Sequence, residues 1–110
     1  MEITEERRGD VLILRVIGKL DASTSKSLED KVLALITARQ ENLVVDLSQL
    51  DYISSAGLRV FLLAAKRMEG TKGKMILCSL KEAVREVFDI AGFSSFFTLA
   101  ASSEEAIKNL

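Results

Sequence analysis

The chain predicts an α/β fold, a mixed sheet of about five strands packed with about four helices, and three observations carry that expectation. Its apolar periodicity switches repeatedly between the two-residue repeat of a strand and the 3.6-residue repeat of a helix. Turn and cap residues fall at the switches. After an opening pair of strands, a helical segment separates each strand from the next, which requires right-handed crossovers and a largely parallel sheet. A length of 110 residues, with 48% hydrophobic and 28% charged side chains, suits one domain over residues 1–110.

Residues 2–7 and 10–17 read as two strands joined by a turn at Arg8, Gly9 and Asp10, an antiparallel hairpin whose second arm carries Val11, Leu12, Ile13, Leu14, Val16 and Ile17. Beyond Gly18 and the loop KLDAS, Leu28, Val32, Leu35 and Ile36 recur at helical spacing, so a helix is expected over 24–39 with Ser23 or Thr24 as its N-cap. A strand at 43–47 closes on Asp46 and Leu47. A second helix begins at Ser54 and runs to Glu69, stopped by Gly70, with a strand at 74–78 after it. Ser79 with Glu82 reads as a capping box opening a third helix, with Ala83, Val84, Val87 and Phe88 inward and Gly92 as its stop. A short strand at 96–99 and a helix capped by Ser102 with Glu105 complete the order.

Composition excludes several function classes. Fifteen Lys and Arg are offset by sixteen Asp and Glu, giving a net charge of −1 with no basic block to grip nucleic acid. With no histidine, the commonest general base and metal ligand is missing, so enzymatic chemistry would rest on carboxylates, lysines or Tyr52. The acidic residues fall mainly at helix starts and exposed faces, and no metal-ligand cluster or nucleotide-binding glycine loop is present, so neither metal nor cofactor is expected. Cys78 follows Met75, Ile76 and Leu77 and reads as an inert core thiol. The first ten residues, MEITEERRGD, contain no apolar signal segment and no run is long enough to span a bilayer, so a cytoplasmic protein is expected.

The segment from Asp46 into the second helix, DLSQLDYISSAGLRV, is the most informative. It sets Ser54 and Ser55 at a helix entrance, where unpaired N–H groups and the positive end of the dipole would hold a phosphate. The alternative role for such a serine is a plain N-cap. At 100° per residue, Leu58, Phe61, Leu62, Ala65 and Met68 form the stripe expected against the sheet, and Arg59, Leu63, Lys66, Arg67 and Gly70 the opposite one. Asp46 at a strand end offers a different chemistry, that of a receiver-like acyl-phosphate acceptor, but neighbouring strand ends supply no acidic pair for Mg²⁺.

These residues resemble the STAS domain family, in particular the bacterial anti-sigma factor antagonists. GKLDAST, residues 18–24, looks like the family's G-x-L-D loop before its first helix, and SSAGL looks like its D-S-x-G-L helix start. The resemblance implies a binding protein without catalytic activity or cofactor. The phosphoacceptor falls on Ser55, and Ser54 replaces the aspartate that most often precedes it, making Ser54 the second candidate. It implies two partners, an anti-sigma factor that is also an ATP-dependent serine kinase, captured when Ser55 is unmodified so that a sigma factor is freed, and a resetting PP2C-type phosphatase. The implied contact surface is Asp21, Ala22, Ser23 and Thr24 with Ser54, Gly57, Arg59, Leu63 and Lys66. The alternative within the family is an unphosphorylated scaffold or ligand-binding module in a signalling or membrane transport assembly.

Overall fold

In the computed structural model, which describes residues 1–40 and 42–110, β1 (Glu2–Arg8) and β2 (Val11–Leu20) pair as the expected antiparallel hairpin. They turn through Gly9 and Asp10, and Gly9 has φ +63°, which glycine adopts without a Cβ clash. α1 (Ser25–Thr37), β3 (Asn42–Asp46), β4 (Leu50–Ile53), α2 (Ser55–Glu69) and β5 (Lys74–Cys78) follow. α3 (Glu82–Ile90), a 3-10 turn (Ser94–Phe96), β6 (Thr98–Ala100) and α4 (Ser103–Lys108) complete the order. The sheet order is β1-β2-β3-β5-β6, parallel after the hairpin, with β4 pairing in parallel with the far end of β2.

Alternate strand residues feed two faces, as the pleat dictates. Leu12, Leu14 and Val16 of β2, Leu43 and Val45 of β3 and Leu77 of β5 pack with α1, α2 and α3. Val11, Ile13, Val44, Ile76 and Cys78 pack on the other face with Ala106, Ile107 and Leu110 at α4. Cys78 is the inert core thiol expected of it: buried, with its pKa pushed up to about 11 by that burial. No helix among the described residues is long and apolar enough to cross a membrane.

Several local expectations are corrected. β4 lies between the third strand and the Ser54 helix, where the expected order has no strand. Its buried residues, Leu50 and Ile53, stand three apart, so no two-residue repeat announces it. β2 runs on to Leu20, beyond the expected 17, by bending at Gly18 (φ +101°) before a bulge that lets it pair with β4. Thr24 sits at the N-cap of α1 but makes no side-chain cap, because its hydroxyl is bonded into the preceding loop. The Ser79–Glu82 capping box does not form. Ser79 has φ +60° and donates its hydroxyl to the Ala101 carbonyl at 3.3 Å, and α3 starts behind Lys81 with no side-chain cap. On α3, Val84 and Phe88 are buried and Val87 half-buried, but Ala83 is exposed. The expected strand at 96–99 is shifted to β6 because the 3-10 turn takes residues 94–96. The Ser102 cap stands as expected, accepting from the Glu105 amide at 3.1 Å.

The buried stripe of α2 is rotated from the expected one. Gly57, Leu58, Val60, Phe61, Ala64 and Met68 are buried, whereas Leu62 and Ala65 are only half-buried. The helix packs against α1 as well as the sheet, so its covered arc is wide and swings toward Val60 and Ala64.

Candidate functional site

The site is built where β2 and β4 end side by side, Lys19 opposite Tyr52 and Leu20 opposite Ile53. The chain leaves β4 into Ser54, whose extended backbone (φ −97°, ψ 175°) starts α2. The Ser54 amide donates to the Leu20 carbonyl at 2.9 Å, its carbonyl accepts from the Leu58 amide at 3.0 Å, and its hydroxyl accepts from the Gly57 amide at 3.4 Å. Ser54 is thus half-buried and committed as the N-cap. Ser55, the first helical residue, is exposed, and among the described residues its hydroxyl takes part in no hydrogen bond. One serine caps the helix and the next is presented to solvent.

Gly57, expected among the contact residues, lies beneath the surface. It is buried, and a Cβ added there would lie 2.8 Å from Leu20 Cγ and 2.9 Å from Ile53 Cγ1. Its missing side chain lets α2 lie directly on the β2 and β4 ends.

The other half of the site is the loop between β2 and α1. Asp21 Oδ1 accepts from the Ser23 hydroxyl at 2.7 Å, the Ser23 amide at 2.9 Å and the Thr24 amide at 3.2 Å. Thr24 Oγ1 accepts from the Asp21 amide at 2.9 Å and donates to the Lys19 carbonyl at 3.0 Å. The Ser23 donors, and after them those of Thr24, hold the Asp21 carboxyl below its usual pKa. The loop is therefore locked by its own side chains, with Ala22 and Ser23 exposed at its crest. Sequence reading named these residues as contacts and missed that Asp21, rather than Ser23 or Thr24, organises the turn. An aspartate followed at two and three residues by amides it can accept from is the signal.

Along α2, Arg59, Lys66 and Arg67 are exposed and Leu63 is half-buried. None of the ion pairs among the described residues includes Arg59, Lys66 or Arg67. At 100° per residue Ser55, Arg59, Leu62 and Lys66 fall within an arc of about 60°, and Arg67 lies outside it. Half-buried Leu62, assigned to the core by its sequence spacing, is thus the apolar member of the serine-bearing face. Tyr52, opposite Lys19 at the end of β4, is 50% exposed two residues before Ser54. Asp51 turns instead to an ion pair with Lys81, the residue before α3.

Asp46, the receiver-like candidate, is only 8% exposed; Arg15 Nε lies 3.4 Å from one carboxylate oxygen and the Ser48 amide donates to the other at 2.9 Å. It is tied into the sheet rather than presented as an acceptor.

A mixed sheet with an opening hairpin, and a rigid surface assembled from a strand-end loop and the start of α2, define a STAS-type domain. The family model described as the STAS domain matches residues 2–106, and the chain belongs to that family. BtrV of Bordetella bronchiseptica, named as a candidate anti-sigma factor antagonist, is 42% identical over 106 residues, covering 96% of this chain and 91% of that protein. Among solved structures, a protein of Thermotoga maritima described in the same terms superposes with TM-score 0.92 at 19% identity, covering 97% of this chain and 92% of that one. The Bacillus protein SpoIIAA, an anti-sigma factor antagonist, matches in its unphosphorylated form with TM-score 0.83 at 23% identity over 98% of this chain and 95% of that one. Its phosphorylated form matches with TM-score 0.75 at 22% identity over 98% of each. At these identities the structural likenesses establish the fold. The names describe binding proteins, not enzymes.

Proposed function

We propose that this protein is an anti-sigma factor antagonist whose binding is switched by phosphorylation of Ser55. Unmodified, it captures an anti-sigma factor that is also a serine kinase, and a sigma factor is released to transcribe. The observation that carries this reading is the division of labour at the entrance to α2: Ser54 is used as the cap, which leaves the exposed Ser55 hydroxyl free to react. The similarity to BtrV supports it, and the existence of SpoIIAA in both phosphorylated and unphosphorylated forms is in keeping with it.

In the transfer step, Ser55 Oγ forms a bond to the γ-phosphorus of ATP, the bond to the ADP oxygen breaks, and the hydroxyl proton passes to a base of the kinase. The Ser54 amide bonded to the Leu20 carbonyl and the close seating of Gly57 fix the backbone that presents Ser55, which favours in-line attack. The product adds roughly −1.5 to −2 charges at a helix start, which tolerates them. The partner does not: a dianion desolvated within an interface costs several kcal/mol, and about 3 kcal/mol already weakens binding more than a hundredfold. A PP2C-type phosphatase resets the switch, and the exchange takes place in the cytoplasm. Asp21 to Thr24, Ser54, Arg59, Leu63 and Lys66 form the contact surface, joined by Leu62 and Tyr52.

The test is intact mass and binding with the cognate anti-sigma kinase. Parent protein gains one phosphate with ATP and loses the complex; Ser55→Ala binds and gains no mass; Ser55→Asp binds more weakly. Continued phosphorylation of Ser55→Ala would move the site elsewhere, and retrieval of transporter subunits instead of a kinase would replace the reading with the scaffold alternative.

A further inference from the structure

Arg59 stands one helical turn beyond Ser55 on the exposed side of α2. Residues at i and i+4 place their Cβ atoms about 5–6 Å apart, and an acid preceding a base is the favourable order along a helix. Arg59 is exposed and belongs to none of the ion pairs among the described residues. The first turn of α2 contains no acidic residue, so no carboxylate there competes for the guanidinium.

The geometry points to Arg59 as the internal counter-ion of phosphorylated Ser55, a guanidinium offered to the partner in the unmodified protein and drawn onto the phosphate after modification. The inference rests on Ser55 being the modified residue and adds a second action to the switch. The phosphate inserts charge into the interface and also withdraws a cation from it. Arginine suits the task because its planar donors match phosphate oxygens in pairs, whereas a lysine offers a point charge. Lys66, on the same face, is eleven residues from Ser55, roughly 16 Å along the axis, beyond the reach of such a pair.

The experiment places phosphoserine at position 55 during synthesis, so that it depends on no kinase, and follows the phosphate by ³¹P NMR against pH at low ionic strength. The second ionisation of phosphoserine lies near pH ~6 and is drawn down by a neighbouring cation. Expected is a value lower in the parent than in Arg59→Gln by roughly 0.2–0.4 unit, an intermediate value in Arg59→Lys, and a parental one in Lys66→Gln. Other nearby charges are the same in each protein: Lys19 and Asp21 at the end of β2, Asp51 paired with Lys81, and Lys26, Glu29, Asp30 and Lys31 of α1, paired among themselves or with Glu5. Equal titration of parent and Arg59→Gln overturns the inference, as does an equally large change in Lys66→Gln. Arg59 dependence of the installed phosphate, in a protein that the kinase never modifies at Ser55, would keep the pair and remove the switch.

Discussion

Gly57→Ala sets two opposing effects against each other. In a helix, alanine is favoured over glycine by at most about 1 kcal/mol, and less so in the first turn where Gly57 lies. Against this, the new methyl would sit 2.8 Å from Leu20 Cγ, 2.9 Å from Leu20 Cδ2 and 2.9 Å from Ile53 Cγ1. Real Cβ atoms do not approach so closely, and neither neighbour can retreat: Leu20 is fully buried and Ile53 is 2% exposed. Forcing a methyl into a packed core costs about 1–3 kcal/mol, so overpacking wins, with a net loss of about 1–2 kcal/mol. For a domain of this size that lowers the melting temperature by roughly 4–8 °C. Gly70→Ala is the matched control, because a Cβ at Gly70 meets nothing within 4 Å, and its stability should be unchanged or slightly raised. Urea and thermal unfolding of both variants decide the matter. If Gly57→Ala is as stable as the parent, the close seating of α2 on the ends of β2 and β4 is wrong.

Two further outcomes follow from the ionisable groups. The Asp21 carboxyl is held below its ordinary pKa by Ser23 and Thr24, so it contributes stability above its unfolded value, near ~3.9, and loses it as the pH falls through the folded one. Asp21→Asn should therefore show a flatter fall in stability than the parent between about pH 5 and pH 2, and parallel curves would contradict the loop hydrogen bonds. Cys78, with a thiol pushed up to about 11, should be only about a thousandth ionised at pH 8, so native protein should alkylate more than a hundredfold more slowly than urea-unfolded protein. Similar rates in the two states would show that the thiol is not sealed between β5 and its neighbours.

The fold was legible wherever a local signal and a tertiary demand agreed. Gly9 and Asp10 mark a hairpin turn, and the continuous apolar run from Val11 supplies its buried arm. Ser102 caps α4, its hydroxyl claimed by no other group among the described residues. Ser79, with the same motif, does not cap α3 because the end of β5 uses it to bond toward the Ala100 and Ala101 carbonyls. β4 stayed hidden because its pairing is decided by the bend of β2 at Gly18, a distant event. The rotation of α2 was hidden for a similar reason: a helical wheel records periodicity but does not say that α1 will also pack against the helix and widen its buried arc. At the site, the segment, the serine pair and the basic face were all readable. Which serine caps, that Gly57 lies beneath the surface, and that Leu62 faces outward depend on hydrogen bonds and packing that residue spacing does not encode.

The two halves of the site are separated in the chain by α1, β3 and β4, yet two adjacent residues of β2 hold both. The Lys19 carbonyl accepts from Thr24 Oγ1, fixing the loop. The Leu20 carbonyl accepts from the Ser54 amide, and the Leu20 side chain fills the space that Gly57 leaves open, fixing the start of α2. A surface anchored in this way needs little ordering on association, which leaves more of the contact energy for affinity. The same rigidity bears on the proposed switch. A serine on a loose loop could carry its phosphate away from the contact surface, whereas the backbone of Ser55 follows a capped, hydrogen-bonded residue into the first turn of α2. In the proposed switch the phosphate therefore stays where the partner would dock, and Arg59 drawn onto it is a cation lost to the partner, so both changes weaken the complex.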